Sequence, residues 1–140
     1  MNGGRYFLDT NVFVYTFYPS QGEKRGIAQA LIERAIHDGL GVVSYQVIQE
    51  FCSVARRKFP DAFSWEELRR YIVQVLAPLC RVQSSIHLYQ SCLDIAQLSG
   101  YSFYDSLILA AASSAGCKTL LTEDMQAGQT VAGVEIVNPF

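Results

Sequence analysis

Short apolar runs alternate with longer amphipathic stretches along the chain, and this pattern predicts an α/β protein. The apolar runs have the length and composition of buried strands and cover residues 5–8, 41–44, 80–82, 118–122 and 134–137. Apolar residues at helical spacing predict helices over residues 23–39, 45–58, 65–77, 84–98 and 103–115. No element is assigned to residues 9–18. Strands that alternate with helices favour a short parallel sheet covered on both faces, a three-layer α/β/α fold.

Local signals define some helix ends. Ser44 and Ser64 precede helical stretches and are expected to act as N-caps. Pro78 is expected to stop the helix that begins after Ser64. No repeat and no long linker divides the 140 residues, so we expect one domain over residues 1–140.

Composition limits the partners to be considered. The formal net charge is −2 and only 17% of residues are charged, so the chain has no overall basic field and a polyanion would have to be held locally. Half of the residues are hydrophobic, yet no run approaches the length of a membrane span. The four cysteines are widely spaced and form no metal-binding motif. We therefore expect reduced thiols, no membrane partner and a cytoplasmic location.

Four acidic residues are predicted to gather at one edge of the sheet. Asp9 directly follows the first strand, and Asp124 closely follows the strand at 118–122. Ligands of such sheets bind outside the carboxyl ends of the strands. Glu50 borders the apolar stripe of its helix, and Asp105 stands in the first turn of a helix that is apolar on nearly every side.

Each acid also has a purely structural explanation. Asp105 follows Ser102 by three residues, as in a capping box. Asp9 could shape a turn, Glu50 could lie on a solvated helix edge, and Asp124 could belong to a polar loop. These alternatives stay open for each residue taken alone.

The joint placement of the acids favours a cation site. Two carboxylates about 5 Å apart repel each other by roughly 3 kcal/mol at an effective dielectric constant near 20, so several together require cations. An all-oxygen donor set without histidine or thiolate suits Mg²⁺ or Mn²⁺ better than zinc. Such ions commonly bridge carboxylates to phosphate groups.

Four motifs in this order resemble the PIN-domain nucleases, and most of all the VapC-type ribonuclease toxins of bacterial toxin–antitoxin pairs. They are the Asp-Thr-Asn after the first strand, "VIQEF", "YDSLILAAA" and "LLTED". The resemblance covers essentially the whole chain. It implies a metal-dependent endoribonuclease that leaves a 5′ phosphate and a 3′ hydroxyl.

The resemblance also assigns roles to residues. It implies that Asp9, Glu50, Asp105 and Asp124 are the catalytic and metal-binding residues, with Asn11 and Thr122 as supporting groups. Asp9 would anchor the principal ion, and Glu50 would hold a water molecule or a second ion. The pattern departs at Gln126, where many relatives carry Asp or Asn and where an amide is a poorer ligand for a second ion.

Contacts to partners are less clearly encoded. Arg56, Arg57 and Lys58 form a basic helix end that would either bind RNA phosphates or remain a solvated face near the helix dipole. Arg69 and Arg70 form a second basic pair, and Tyr18, Tyr45, Phe63 and Trp65 are available for base stacking. The resemblance further implies a small antitoxin partner and a homodimer.

Other functions explain the same residues less well. An aspartyl-phosphate phosphatase expects Asp-x-Asp where this chain has Asn11. A receiver domain expects a lysine after a late strand, whereas Lys118 stands at the start of its strand. The main alternative is a non-catalytic PIN-like module that binds RNA or protein.

Overall fold

The computed structural model describes residues 3–140. Within this range, one sheet contains the strands β1 (Tyr6–Leu8), β2 (Gly41–Ser44), β3 (Cys80–Val82), β4 (Thr119–Leu121), β5 (Thr130–Val131) and β6 (Val134–Val137). The α-helices are α1 (Thr10–Tyr15), α2 (Gly22–Asp38), α3 (Tyr45–Lys58), α4 (Trp65–Tyr71), α5 (Ala77–Leu79), α6 (Ile86–Ser99) and α7 (Phe103–Ser114). A 3₁₀ turn at Pro19–Gln21 precedes α2, and a π-helical turn at Ile72–Leu76 joins α4 to α5.

The sheet has the strand order β3-β2-β1-β4-β6-β5. Every neighbouring pair is parallel except β5 with β6, which is antiparallel. The chain moves from β1 outwards to β2 and β3, and then returns to the other side of β1 for β4 and β6. The strand order therefore reverses between β1 and β4, and such a point opens a crevice at the carboxyl ends of the strands.

Helices flank this sheet and form the core with it. Helix α7 contacts β2, β4 and β6, and its residues 106–112 are all buried. Helix α1 packs against both α2 and α3. The α/β fold class predicted from the sequence is confirmed.

An aromatic cluster holds the end of α1 against α3 and α4. The Phe17 ring meets Phe63 edge-on at 4.6 Å between ring centroids, and Phe51 stacks on Tyr71 at 4.7 Å. Such aromatic pairs add stabilisation beyond the area that they bury. They hold the segment that follows α1 against α3 and α4.

Helix α1 was missed by the sequence analysis. Its sequence, TNVFVY, is rich in β-branched and aromatic residues and has little intrinsic helix propensity. Burial of Val12 and Phe13 stabilises it instead, and such tertiary packing is not visible in a local pattern. The two-residue strand β5 was also missed, because it is too short to show a period.

One predicted helix end was wrong, and one predicted capping bond is absent. Helical structure continues past Pro78 to Leu79, because the π-helical turn shifts the hydrogen bonding and the proline lies in the first turn of α5, where its missing N–H is not needed. Ser44 occupies the N-cap position of α3 but makes no capping hydrogen bond with its side chain, and its buried hydroxyl has no partner. Ser64, in contrast, accepts a hydrogen bond from the Glu67 N–H at 3.1 Å, as predicted.

Two glycines test the packing of α2 on the sheet. A Cβ added at Gly41 would overlap with the Ala35 side chain, whereas a Cβ at Gly26 would meet open space on α2. Gly41→Ala should lower the free energy of unfolding by about 1–3 kcal/mol, because α2 must move away from β2. Gly26→Ala should raise it by up to about 1 kcal/mol through helix propensity. Urea unfolding measures both, and equal effects would contradict the close approach of α2 to β2.

Candidate functional site

Asp9 lies where β1 ends and α1 begins. Its Oδ1 accepts a hydrogen bond from the Thr10 N–H at 2.7 Å, and its Oδ2 accepts one from the Thr122 hydroxyl at 2.8 Å. The residue is only 6% exposed. Contacts from the ends of both β1 and β4 therefore fix this carboxylate in the crevice between the two strands.

Burial makes the charge of Asp9 costly. It raises the pKa of Asp9 to about 7, against the opposing effect of its two hydrogen bonds. The nearby carboxylates of Glu50 and Asp124 raise the pKa further. A positive charge nearby would therefore stabilise the ionised form of Asp9.

Glu50 is joined to this cluster through Thr10. The Thr10 hydroxyl donates a hydrogen bond of 2.6 Å to Glu50 Oε1. Glu50 is half-buried on α3, so this bond links the first turn of α1 to the middle of α3. It orients one carboxylate oxygen of Glu50 and leaves the other free of that contact.

Asp124 is positioned by Asn11 and Thr122. The Asn11 side-chain amide donates to Asp124 Oδ2 at 3.1 Å, and the Asp124 N–H donates to the Thr122 hydroxyl at 3.1 Å. Thr122 is fully buried and so connects Asp9 with the loop that follows β4. Asn11 Oδ1 is shielded from solvent and has no hydrogen-bond partner.

Asp105 takes part in the N-terminal cap of α7 and also lies close to the other acids. Its N–H donates to the Ser102 hydroxyl at 3.2 Å, so the capping interaction expected from the sequence is present. Burial raises the pKa of Asp105, and the charge of Asp124 raises it further. The helix-cap explanation and the site explanation are therefore compatible.

All four acids line one open groove of about 760 Å³. The groove lies between α1 and α3, and α7 and the loop after β4 also contribute to its lining. Its walls are formed by Asp9, Thr10, Asn11, Val14, Tyr15, Tyr18, Gln21, Gln46, Gln49, Glu50, Ser53, Val54, Arg57, Lys58, Asp105, Ile108 and Asp124. Thr122 lies directly behind this wall, bonded to Asp9.

The three basic residues at the end of α3 are placed differently from one another. Arg57 and Lys58 line the groove, whereas the Arg56 guanidinium lies 4.1 Å from the centre of the Trp65 ring. Arg69 and Arg70 pair with glutamates on their own helix. Of the aromatic residues considered for stacking, Tyr18 lines the groove and Phe63 is buried in the core.

Sequence analysis missed Thr10 and Gln46. The Gln46 amide is almost fully buried and donates to the Tyr104 carbonyl at 3.2 Å, which leaves Oε1 without a partner. Gln46 lies four residues before Glu50, on the same face of α3. That spacing was available in the sequence, whereas the bond from Thr10 to Glu50 required the position of α1.

A second missed contact supports the loop that carries Asp124. Lys24 on α2 forms an ion pair of 2.6 Å with Glu123, and its ammonium group lies over the Tyr15 ring. This lysine lowers the pKa of Glu123, and the Tyr15 hydroxyl lowers it further by hydrogen bonding. The pair ties the loop after β4 to the start of α2.

The donor chemistry of the groove fits a hard divalent cation. Carboxylates and the unpartnered Asn11 Oδ1 are oxygen donors of the kind that Mg²⁺ and Mn²⁺ prefer. As the side chains stand, no three Asp, Glu, His or Cys residues within 3–140 are grouped closely enough to hold one ion. Direct ligands would therefore have to be supplemented by water or by adjustment of side chains.

Two general expectations concern the rest of the molecule. The four cysteines are free, in agreement with the expected thiols. No helix within residues 3–140 is long and apolar enough to cross a membrane.

Comparison with known proteins identifies one protein family and several similar folds. A PIN domain family model matches residues 6–130. No curated protein sequence matches the chain at a significant level.

Three solved structures illustrate the similarity in fold. A chain of a toxin–antitoxin complex from Klebsiella pneumoniae is 17% identical, with a TM-score of 0.67 and coverage of 96% of this chain and 98% of that one. A chain of FitAcB from Neisseria gonorrhoeae is 20% identical, with a TM-score of 0.64 and coverage of 96% and 97%. VapC20 from Mycobacterium tuberculosis, a toxin that cleaves the sarcin–ricin loop, is 16% identical, with a TM-score of 0.61 and coverage of 85% and 91%. At these identities, the similarity concerns the fold.

The raised pKa of Asp9 predicts a pH-dependent effect of Asp9→Asn in EDTA. The pKa of Asp9 in the folded protein, about 7, exceeds its usual value of 3.8. The contribution of Asp9 to the free energy of unfolding of the wild type is therefore full below about pH 4 and is lost as the pH rises through 7. The variant should therefore gain stability relative to wild type, by roughly 1 kcal/mol per pH unit across that window. Urea unfolding over a pH series measures the difference. A difference that does not change with pH would contradict the burial of a charged Asp9.

Proposed function

The chain belongs to the PIN domain family, and from that premise we propose that it is a metal-dependent endoribonuclease in which residues 1–140 act as one catalytic domain. One observation carries the proposal. Four carboxylates from four separate segments line a single groove at the point where the strand order reverses. Structural roles alone give no reason for four acids to converge on one open groove, since their mutual repulsion has to be offset.

We propose that Mg²⁺ or Mn²⁺ is the cofactor and that Asp9, Asp105, Asp124 and Glu50 hold it. A bound divalent ion would polarise the scissile phosphodiester and stabilise the charge that develops on it. The ion would also stabilise the ionised form of Asp9, which burial disfavours. The unpartnered Asn11 Oδ1 is a further oxygen donor in the same wall.

The supporting residues would keep the carboxylates in place through the reaction. Thr122 donates to Asp9 and accepts from the Asp124 backbone, so it sets the spacing between these two acids. Asn11 orients the Asp124 carboxylate, and Thr10 orients that of Glu50. With one oxygen fixed by Thr10, Glu50 is suited to hold a water molecule and to accept its proton.

We further propose that the protein is the toxin of a type II toxin–antitoxin pair. A similar fold occurs in a toxin–antitoxin complex from Klebsiella pneumoniae, and this supports a small antitoxin partner. The cytoplasm, where RNA is available, is the location that this proposal requires.

A homodimer is part of the same proposal. Large exposed apolar side chains are frequent on α6 and at the start of α7, namely Ile86, Leu93, Leu98, Phe103 and Tyr104. Apolar side chains exposed in such number are typical of surfaces that other protein chains cover. They support self-association through this part of the molecule.

Cleavage of RNA tests the nuclease proposal. Wild-type protein should cut a mixed pool of labelled structured and single-stranded RNAs with Mg²⁺ or Mn²⁺ and should not cut it in EDTA. Asp9→Asn and Asp124→Asn should each abolish cleavage, because each change removes a negative charge that attracts the cation and leaves a weaker, neutral oxygen donor in its place. Gel separation of the products, with identification of their end groups, measures the outcome.

A matched control is available in Glu33→Gln, which removes an exposed carboxylate on α2 outside the groove. This variant should cut as wild type does. Cleavage that persists in EDTA or in Asp9→Asn would contradict the proposal. RNA binding without cleavage under any metal would favour the non-catalytic binding module.

A further inference from the structure

Gln46 links α3 to the first turn of α7. Its Nε2 donates a hydrogen bond of 3.2 Å to the Tyr104 carbonyl, and its side chain is almost fully buried in the groove wall. The N–H of the same peptide unit belongs to Asp105 and donates to the Ser102 hydroxyl at 3.2 Å. The peptide bond that leads into Asp105 is therefore held at its carbonyl by α3 and at its N–H by the helix cap.

The same face of α3 carries a second acid of the groove. Glu50 follows Gln46 by four residues, so their side chains are neighbours on the helix surface. Glu50 accepts the hydrogen bond of the Thr10 hydroxyl at 2.6 Å. Helix α3 therefore sets the positions of two carboxylates, because it bears Glu50 and holds the turn that bears Asp105 through Gln46.

The first turn of α7 has little apolar packing of its own. Helix α7 packs mainly against α6 and the sheet, and its buried residues begin at Ser106. The two side chains before Asp105 are largely in solvent, with Phe103 exposed by 42% and Tyr104 by 65%. Hydrogen bonds to the backbone of this turn therefore matter more for the position of Asp105 than side-chain packing does.

Stability alone does not explain an amide at this buried position. Gln46 Oε1 is shielded from solvent and has no hydrogen-bond partner among residues 3–140, whereas buried polar atoms are generally bonded. Burial of an unpaired acceptor is unfavourable. A methionine would fill a similar volume without that unpaired acceptor. The amide adds the donor that binds the Tyr104 carbonyl.

From this arrangement we infer that Gln46 is a positioning residue of the cation site and acts through Asp105. Its Nε2 holds the peptide between Tyr104 and Asp105, so that the Asp105 carboxylate keeps its place in the groove. The inference rests on the proposed function in taking a divalent ion as the cofactor. It adds a neutral residue, outside the four acids, on which the affinity for that ion depends.

Titration of Mn²⁺, followed by electron paramagnetic resonance of the free ion, tests this dependence. Gln46→Met should lower the Mn²⁺ affinity by about tenfold or more, the size of effect that outer-shell partners of metal ligands have. In an Asp105→Asn background, the same change should lower it by less than about twofold, because the carboxylate through which Gln46 acts is already lost. Gln29→Met replaces an exposed glutamine of α2 outside the groove and should bind Mn²⁺ as wild type does.

Two measurements in EDTA test the hydrogen bond without a metal. Exchange of the Asp105 amide proton, followed by nuclear magnetic resonance, should be about 2- to 10-fold faster in Gln46→Met, which corresponds to the loss of one hydrogen bond. The midpoint of urea unfolding should equal or exceed that of wild type, because the variant also lacks the unpaired Oε1. A glutamine with a merely structural role would lower the midpoint when replaced.

Four results would overturn the inference. They are an unchanged Mn²⁺ affinity in Gln46→Met, equal effects of this change with and without the Asp105 carboxylate, unchanged exchange at Asp105, and a lower unfolding midpoint. If wild type binds no Mn²⁺ while exchange at Asp105 responds to Gln46→Met, the proposed cofactor fails and the role of Gln46 in holding Asp105 stands. If wild type cuts RNA with metal while Gln46→Met binds Mn²⁺ normally, the inference alone fails.

Discussion

The near-complete burial of the Asp9 carboxylate is the constraint on which the rest of the site depends. A buried charge without a partner is so unfavourable that the group would neutralise instead, and here burial moves its pKa to about 7. The Thr10 N–H and the Thr122 hydroxyl offset part of that cost. Neighbouring carboxylates add to that cost, so a cation bound at the carboxyl ends of β1 and β4 would lower it.

Sheet topology explains why the four acids meet. Because β1 lies between β2 and β4, residues that follow β1 and β4 face the same crevice. Helix α3 brings Glu50 to one side, and the first turn of the buried helix α7 brings Asp105 to the other. The same helices then define the groove, which changes from acidic to basic along α3 over about two turns between Glu50 and Arg57.

Much of this arrangement could be predicted from the sequence, and the failures have physical reasons. Apolar runs and helical periods located five strands and most helices, and the spacing of Asp9 and Asp124 after two strands placed them at one edge. Helix α1 could not be predicted because tertiary burial, not local propensity, stabilises it. The hydrogen bond from Thr10 to Glu50 depends on the position of α1 and could not be predicted either. The different directions of Arg56 and Arg57 depend on where Trp65 packs, which no local pattern encodes.

The central claim is that the groove binds a divalent cation through Asp9. Titration of Mn²⁺ into the wild-type protein and Asp9→Asn, followed by electron paramagnetic resonance of the free ion, tests it without a substrate. The account predicts saturable binding by wild type and an affinity lower by more than about tenfold in the variant, since loss of even a supporting contact has effects of that size. Equal binding by the two proteins, or no binding by wild type, would contradict it.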